Sequence, residues 1–376
     1  NTISENSPST NSSAGVNSFK VTRDNVKVFG RAINDANNSY LWFGLTDAGI
    51  EYAFTGTTTT ITVAADNGAY SSENPARIAI YADGKLDSDV LIKDKTSKFT
   101  VTFNSNGRHI VRLIKLSECA NGSIRLTEIE ADSNKIEPTA AGNKKIEFVG
   151  DSITCGYGVD GTEGTFSTKT EDGSKTYAYI AAQSLNADYS MFSFSGFGII
   201  SGYSTNGERS KDSTIPPIYD KLGFSYWSQF ENDSSITQLK DVKWDPKAFE
   251  PDLVVINLGT NDNSYMNSIN SADKKASEAE AFTEEYENFI STIRSTHPKA
   301  EILCTLGIMG QDLYPQIEKA VSNYKTKTGD TKVNAFKFNV QNTEKNGKGI
   351  DWHPAPKSHS EAANELVNEI NKLYGW

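Results

Sequence analysis

The sequence has few of the residues that bind metal ions or form disulfide frameworks. Its 376 residues include three cysteines (Cys119, Cys155 and Cys304) and four histidines. The cysteines are scattered and odd in number, and none forms a Cys-x-x-Cys pair, which excludes a disulfide scaffold and a cysteine zinc site. So small a number of histidines also argues against a histidine metal centre. We therefore predict a protein that uses no metal and no cofactor.

Positive net charge and long apolar runs are also absent. The formal net charge is -11, which makes nucleic acid and anionic membranes poor partners. No apolar run approaches the ~20 residues of a membrane-spanning helix. With 37% hydrophobic and 23% charged residues, the composition is typical of a soluble globular protein. It leaves the oligomeric state open.

An initiator methionine and a charged-then-apolar signal segment are missing from the start of the chain. Residues 1–16 form a Ser/Asn/Thr-rich tract with too little apolar mass to pack, and we predict a disordered tail or linker there. The composition of the first half is also polar. These features favour a mature, secreted bacterial protein whose signal peptide has been removed, with an arbitrary fragment as the alternative.

Residues 17–131 are predicted to form an all-β domain. Apolar and polar residues alternate with period two in about eight segments, and turn residues such as Asp83-Gly84 and Asn106-Gly107 separate them. The absence of a credible helix favours a two-sheet sandwich of jelly-roll type. Residues 132–143 carry chain breakers and little apolar mass, and are predicted to be a linker.

Residues 144–376 alternate between strand and helix patterns. The near-continuous apolar run over Asp252–Leu258 is typical of a buried parallel strand, and Ala272–His297 has the apolar seam of a long helix. Alternation of this kind predicts a three-layer α/β/α domain with a parallel sheet. A chain of this length also favours two domains over one.

Three short blocks carry the candidate chemistry. Lys144–Gly150 is an apolar strand pattern that stops at Gly-Asp-Ser, which places Ser152 where an α/β sheet exposes a reactive group. The second block, 254–262, ends in Gly-Thr-Asn-Asp and contains Asn261, and the third is Asp351-Trp352-His353-Pro354. Together they resemble the SGNH hydrolases, or GDSL esterase/lipase superfamily. The closer resemblance is to carbohydrate esterase family 2, whose N-terminal jelly roll matches the strand-rich first half in kind.

Ester hydrolysis needs a nucleophile, a base and fixed donors for the developing oxyanion. Ser152 is the candidate nucleophile and His353 the candidate base, and Asp351 would orient the imidazole. The Asp-x-His spacing departs from the Asp-x-x-His of most SGNH hydrolases. In the resembled family the acid is not always present and a backbone carbonyl serves instead, so Asp351 is assigned less firmly than His353. His359 is a rival base that we interpret as a helix-start residue.

The resemblance also implies an oxyanion site. Its donors would be the backbone N–H of Ser152, a glycine N–H and the side-chain amide of Asn261. The glycine is either Gly196 or Gly198, and Gly198 is preferred.

Aromatic side chains are the candidate sugar contacts. The resemblance implies a platform at Trp352, beside the base. The remaining candidates for the cleft wall are Tyr203, Trp227 and Tyr265.

Gly156-Tyr157-Gly158-Val159-Asp160-Gly161 matches the dinucleotide-binding pattern Gly-x-Gly-x-x-Gly. The pattern begins several residues beyond the strand and does not lead into an apolar-faced helix, so it lacks the context that nucleotide binding requires. We do not assign a nucleotide site to it.

The resemblance implies a serine esterase that deacetylates acetylated plant cell-wall polysaccharide or oligosaccharide (xylan, glucomannan) through an acetyl-enzyme. Two alternatives stay open. One is an SGNH lipase or thioesterase acting on other acyl esters, and the other is a non-catalytic carbohydrate-binding protein.

Overall fold

The computed structural model of the chain describes residues 15–231, 233 and 238–376. Most of the predicted tail over 1–16 lies outside the described residues. Gly15 and Val16 are described; both are exposed and lead directly into the first strand.

The first half of the chain is an antiparallel β structure, as the alternating pattern predicts. Its single α-helix among the described residues is the short α1 (Asn67–Ser71), and a 3-10 turn covers Cys119–Asn121. The strands are β1 (Asn17–Phe19), β2 (Lys27–Phe29), β3 (Ile33–Asn34), β4 (Leu41–Phe43), β5 (Gly49–Ala65), β6 (Arg77–Ala82), β7 (Lys85–Leu91), β8 (Thr96–Lys115), β9 (Ile124–Ala131) and β10 (Ile136–Pro138).

These strands pair in the order β3-β4-β9-β5-β8-β6-β7, with β1 beside β9 and with β2 and β10 beside β5. Asp83-Gly84 forms the predicted tight turn between β6 and β7, and both residues have positive φ. The turn predicted at Asn106-Gly107 is wrong, because β8 continues through it and Gly107 pairs with Gly56. The pairing of β5 with β8 shifts its register between Gly56 and Thr58. There the Asp132 carboxylate accepts hydrogen bonds from the Thr57 and Thr58 N–H groups, which therefore do not lack a partner.

The second half is a five-stranded parallel sheet between helices. Its strands, in the order β12-β11-β13-β14-β15, are β11 (Lys144–Gly150), β12 (Ala187–Ser193), β13 (Leu253–Asn257), β14 (Glu301–Leu306) and β15 (Val333–Lys337). Its helices are α2 (Ser152–Cys155), α3 (Tyr177–Ser184), α4 (Thr260–Asn267), α5 (Ala272–Thr296), α6 (Tyr314–Thr328), α7 (Thr343–Asn346) and α8 (Pro356–Tyr374).

The parallel sheet is buried on both faces. Alternate residues of β13 belong to different apolar clusters, since Val254 and Ile256 pack with α5 and α6 whereas Leu253 and Val255 pack with α3 and α8. The fold is therefore an antiparallel β region followed by a three-layer α/β/α region, as predicted. Within the described ranges, no helix is both long and apolar enough to cross a bilayer.

Buried charged contacts join the two halves. Arg31, which follows β2, donates to the carbonyl oxygens of Tyr219 and Lys221 at 2.6 Å each and pairs with Glu147 of β11 at 3.3 Å. Burial raises the pKa of Glu147, but the Arg31 charge, His297 and the Tyr219 hydroxyl outweigh it and bring that pKa down to about 2. The first half is therefore tied to the middle of the parallel sheet.

Candidate active site

The carboxyl ends of three neighbouring strands meet at one edge of the parallel sheet. Gly150, the last residue of β11, pairs with Ser193 at the end of β12 and with Asn257 at the end of β13. The chain segments that follow therefore start side by side. Ser152 comes from the first, Gly196 and Gly198 from the second, and Asn261 from the third.

Ser152 opens the short helix α2 and is almost fully buried. The Asp151 carboxylate caps the helix by accepting from the Ile153 N–H at 2.9 Å, and burial raises the pKa of Asp151 to about 7. Gly150 is required at the turn, because a Cβ there would lie 2.1 Å from the Thr154 hydroxyl oxygen. Gly156 ends the helix in the left-handed conformation. Ser152 is thus held rigidly at the strand end.

The structure brings the candidate nucleophile and the candidate base together. Ser152 Oγ lies 2.8 Å from His353 Nε2, within hydrogen-bonding distance, although the two residues are 201 positions apart. His353 Nδ1 lies 3.1 Å from the carbonyl oxygen of Ile350. Burial lowers the pKa of His353 to about 4. The imidazole is therefore neutral at pH 7, with Nδ1–H donating to the carbonyl and Nε2 ready to accept the Ser152 proton.

Asp351 does not contact the imidazole, which contradicts the prediction that its carboxylate orients His353. The Asp351 side chain is exposed and accepts a hydrogen bond from the Tyr157 hydroxyl at 2.6 Å. The reason is the backbone, since Asp351 and Trp352 both have positive φ (51° and 62°). This conformation presents the main chain of residue 350, and not the Asp351 side chain, to the ring.

Short main-chain bonds hold the His353 loop in that conformation. The Gly349 N–H donates to the His353 carbonyl at 2.7 Å, and the Ile350 N–H donates to the Gly158 carbonyl at 3.1 Å. Gly158 has φ +66° and packs so closely that a Cβ would lie 2.6 Å from Ile350 Cβ. Gly158 of the apparent dinucleotide motif therefore allows the loop that carries His353 to pack closely against the turn after α2.

Tyr157 lies in the same motif and was not identified from the sequence as part of the site. Its ring packs on His353 with the centroids 4.1 Å apart and on Phe166 at 4.3 Å. Its hydroxyl donates to Asp351. Tyr157 therefore covers one face of the imidazole. No sequence signal separated it from the other tyrosines of the chain.

His359 is excluded as the base by its position. It lies in the first turn of α8, fully buried, and its Nδ1 accepts from the Tyr177 N–H at 3.0 Å. Burial lowers the pKa of His359 to about 3. The interpretation of His359 as a helix-start residue is confirmed.

Three unused N–H donors lie around Ser152. The Asn261 amide is 7% exposed and donates one hydrogen to the Phe197 carbonyl at 2.8 Å, which leaves its second hydrogen available. The backbone N–H groups of Ser152 and Gly196 have no acceptor among the described residues. These three groups have the chemistry of an oxyanion site.

The preference for Gly198 as the glycine donor is not supported. Its N–H donates to the Ser213 carbonyl at 3.1 Å and is therefore already used. Gly196 is the better candidate, since it has φ +81° and a Cβ added there would meet no atom within 4 Å. Its peptide therefore borders open space.

The predicted aromatic contacts fall into two groups. Trp352, Tyr203 and Trp227 are exposed (60%, 61% and 51%), and the Tyr203 N–H donates to the Gly196 carbonyl at 2.8 Å, which places that residue beside the site. Tyr265 is 1% exposed within α4 and cannot line a cleft, so its assignment to the cleft wall is wrong. Its hydroxyl lies near the ion pair of Arg209 and Glu278.

Metal-binding clusters are not found in the described part of the chain, where no group of three or more His, Cys, Asp or Glu side chains is placed to hold an ion. The three cysteines are buried and free.

Comparison with known families and proteins agrees with this geometry. Residues 146–366 match the family model of the GDSL-like lipase/acylhydrolases, and residues 28–139 match that of the carbohydrate esterase 2 N-terminal region. The cellulase/esterase CelE of Acetivibrio thermocellus is 34% identical over 279 residues, which cover 72% of this chain and 31% of that protein. This chain thus corresponds to less than a third of that relative's length.

Other relatives are similar over most of their length. An acetylxylan esterase / glucomannan deacetylase of Cellvibrio japonicus is 27% identical over 340 residues, 86% of this chain and 84% of the relative. A solved family two carbohydrate esterase from Clostridium thermocellum, in complex with cellohexaose, has a TM-score of 0.77 at 27% identity, covering 93% and 99% of the two chains.

The acetyl xylan esterase Est2A from Butyrivibrio proteoclasticus shares the fold, with a TM-score of 0.83 at 23% identity over 96% of this chain and 99% of that one. The motif blocks, the sheet topology and both family models lead to one assignment. The chain belongs to the GDSL-like lipase/acylhydrolase family, and a carbohydrate esterase 2 N-terminal domain precedes its acylhydrolase domain.

Proposed function

We propose that this protein is a serine esterase that removes O-acetyl groups from plant cell-wall polysaccharides such as xylan and glucomannan. The observation that carries the proposal is the 2.8 Å contact between Ser152 Oγ and His353 Nε2, with unused N–H donors at the ends of the adjacent strands. A nucleophile, a base and oxyanion donors together are the requirements for acyl transfer.

The reaction proceeds in two halves. Ser152 Oγ attacks the acetyl carbonyl carbon while His353 Nε2 takes the hydroxyl proton, and the oxyanion accepts hydrogen bonds from Ser152 N–H, Gly196 N–H and Asn261 Nδ2. The C–O bond to the sugar then breaks and His353 returns the proton to the sugar oxygen, which leaves acetyl-Ser152. A water attacks this ester with His353 again as base, and acetate leaves as Ser152 regains its proton.

The choice of an acetylated carbohydrate rests on two supports. Exposed Trp352, Tyr203 and Trp227 are large aromatic surfaces of the kind that stack on sugar rings. Relatives are named acetylxylan esterase / glucomannan deacetylase, and the Clostridium thermocellum relative was solved with cellohexaose. We carry this substrate class over to the present chain as part of the proposal.

Two further assignments belong to the proposal. We propose a secreted protein, because cell-wall polysaccharides are too large to enter a cell. We also propose that the first region is arranged as a jelly roll and that the second domain covers 144–376. The prediction of 132–143 as a linker is wrong for its first part, because Ile136–Pro138 form β10 and pair with β5, so the first domain extends beyond its predicted end at 131. The carbohydrate esterase 2 N-terminal match also reaches residue 139, and the acylhydrolase match begins at 146.

The test is acetate release from acetylated xylan and acetylated glucomannan, with Ser152→Ala as the matched protein control. We expect Ser152→Ala to remove nearly all activity, with ~10³-fold acceleration over water left from the oxyanion donors. A series of acyl esters of increasing chain length tests the lipase and thioesterase alternative. Faster hydrolysis of long acyl chains, or acetate release that persists in Ser152→Ala, would contradict the proposal.

A further inference from the structure

A glutamate from the N-terminal region contacts the turn that carries the glycine donor. Glu118 lies between β8 and β9 and is buried. Its carboxylate accepts from the Ser195 backbone N–H at 3.0 Å and from the Ser195 hydroxyl. Ser195 immediately precedes Gly196. A side chain of the carbohydrate esterase 2 N-terminal region therefore forms hydrogen bonds with Ser195, the residue next to the candidate oxyanion donor Gly196.

The backbone of Glu118 is itself held in place by buried side chains. The Glu118 N–H donates to Glu171 Oε1 at 2.7 Å, and its carbonyl accepts from Lys115 Nζ at 2.8 Å. Lys115 and Glu171 are both buried, so these bonds are not exchanged with solvent. Burial and the neighbouring Glu118 carboxyl raise the pKa of Glu171 well above its usual range.

The orientation of the Gly196 N–H depends on Ser195, because the two residues share one peptide plane. The rest of the turn is fixed by main-chain bonds, since Phe197 N–H donates to the Phe194 carbonyl at 3.2 Å and Tyr203 N–H to the Gly196 carbonyl at 2.8 Å. Gly196, with φ +81°, has no side chain to anchor it. Glu118 thus supplies the side-chain restraint on this peptide.

We infer that Glu118 is a positioning residue that aims the Gly196 N–H at the oxyanion, so that the N-terminal region completes the active site of the acylhydrolase domain. The inference rests on the proposed function. The two oxygens of the Glu118 side chain bond separately to the N–H and to the hydroxyl of Ser195, so the length of this side chain fixes the position of Ser195. Preorganised donors of this kind act mainly on the transition state.

The test compares Glu118→Ala, Glu118→Asp and Glu118→Gln in the full chain. Glu118→Asp keeps the charge but withdraws it by one methylene, whereas Glu118→Gln keeps an oxygen acceptor at the same reach. We expect kcat on a soluble acetyl ester to fall about 10- to 100-fold in the Ala and Asp variants with KM nearly unchanged, since one oxyanion donor is misaligned. Glu118→Gln should restore most of kcat.

The rate at which a fluorophosphonate labels Ser152 is a second measurement. This rate would not change in the Glu118 variants if Glu118 had only a structural role. The phosphoryl oxygen occupies the oxyanion position, so the labelling rate should fall by the same factor as kcat. The matched control is Asp188→Asn, which removes the ion pair with Lys27 and weakens the hydrogen bond from the Gly142 N–H. Both contacts lie at the opposite end of β12, the strand that leads to Ser195. It should retain the wild-type kcat.

The inference is overturned if folded Glu118→Ala and Glu118→Asp keep kcat within twofold of wild type, or if Asp188→Asn loses as much. It is also overturned if the loss appears in KM alone. These outcomes are distinct from failure of the proposed function, in which the wild-type protein itself would release no acetate. If Glu118→Ala does not fold, the comparison of kcat between Glu118→Asp and Glu118→Gln is sufficient to test the inference.

Discussion

The Nδ1 atom of His353 faces the Ile350 carbonyl oxygen, whereas the nearby Asp351 carboxylate accepts from Tyr157. We therefore expect Asp351→Asn to lower kcat/KM by about 10-fold or less, since it weakens one hydrogen bond outside the Ser152–His353 pair. His353→Ala removes the base and should lose nearly all acetyl-ester hydrolysis. Steady-state kinetics of the two variants give the comparison. A loss near the ~10⁴-fold expected for a triad aspartate would contradict the geometry.

The pH dependence follows from the buried imidazole. Burial lowers the pKa of His353 to about 4, and the neutral form is the one that accepts the Ser152 proton. The rate is therefore retained as the pH falls from 7 to 5, and is lost as the pH falls through about 4. The measurement is the pH profile of kcat/KM, with circular dichroism at each pH to show that the protein is folded. A midpoint near 6.5, the value of an exposed histidine, would contradict this prediction.

Among individual residues, the sequence predicted the contact of Ser152 with His353 but not the hydrogen-bond partners of Gly198 and Asp351. Ser152 and His353 were predictable as partners because their motifs resemble those of the SGNH hydrolases and because parallel strands bring the loops that follow them to one edge. The preference for Gly198 over Gly196 failed because Ser213, a residue of a later loop, accepts the Gly198 N–H. The role of Asp351 depends on two successive positive φ values that no residue type specifies.

Among the elements, the start of α4 organises the loop that follows β12. Asp262 is fully buried and its carboxylate accepts from the N–H groups of Ile199, Ile200 and Ser201 at 2.8–3.1 Å. Burial raises the pKa of this carboxyl to about 6. The side chain thus ties the loop to the helix that carries Asn261.

We expect Asp262→Ala to lower the free energy of unfolding by about 3 kcal/mol, because it leaves several buried N–H groups without an acceptor. Urea denaturation measures this change. Asp273→Ala is the matched control, since Asp273 is exposed in the first turn of α5, and it should change the unfolding free energy little. Equal effects of the two substitutions would contradict the proposed role of Asp262.

Element types were more predictable than element ends. The long helix predicted over Ala272–His297 is α5 (Ala272–Thr296), and its ends were predictable because its apolar seam persists over several turns. The Asn106-Gly107 turn was predicted wrongly, because a side chain from elsewhere, Asp132, satisfies the irregular pairing and lets β8 continue. Local turn chemistry contains no information about such a distant acceptor.

Across the whole molecule, the buried pair of Arg31 and Glu147 couples the two regions. Arg31→Met leaves the Glu147 carboxylate buried without its cation, and we expect the free energy of unfolding to fall by about 3–5 kcal/mol. The double variant Arg31→Met/Glu147→Leu should recover a large part of this loss, because it removes the uncompensated charge. Chemical denaturation of both variants tests the coupling, and a single-variant loss under about 1 kcal/mol would contradict it.

Because of the Arg31–Glu147 pair, we also expect the free energy of unfolding to decrease in acid. The pKa of Glu147 is about 2 in the folded protein and near 4.5 in the unfolded chain, so its contribution is present above pH 4.5 and is lost as the pH falls toward 2. In Arg31→Met, the decrease in the free energy of unfolding between pH 4.5 and pH 2 should be smaller. Unfolding free energies measured from pH 5 to pH 2 for the two proteins give the difference.

The carbonyl that supports His353 belongs to the polypeptide backbone, so no codon change at position 350 can delete it. In a saturation-mutagenesis library selected for deacetylation, substitutions at 351 should survive in number while those at 353 disappear. A search that requires an acidic residue beside the catalytic histidine would miss hydrolases in which a backbone carbonyl takes that place. Natural relatives are then free to vary the side chain beside the histidine and still hydrolyse esters.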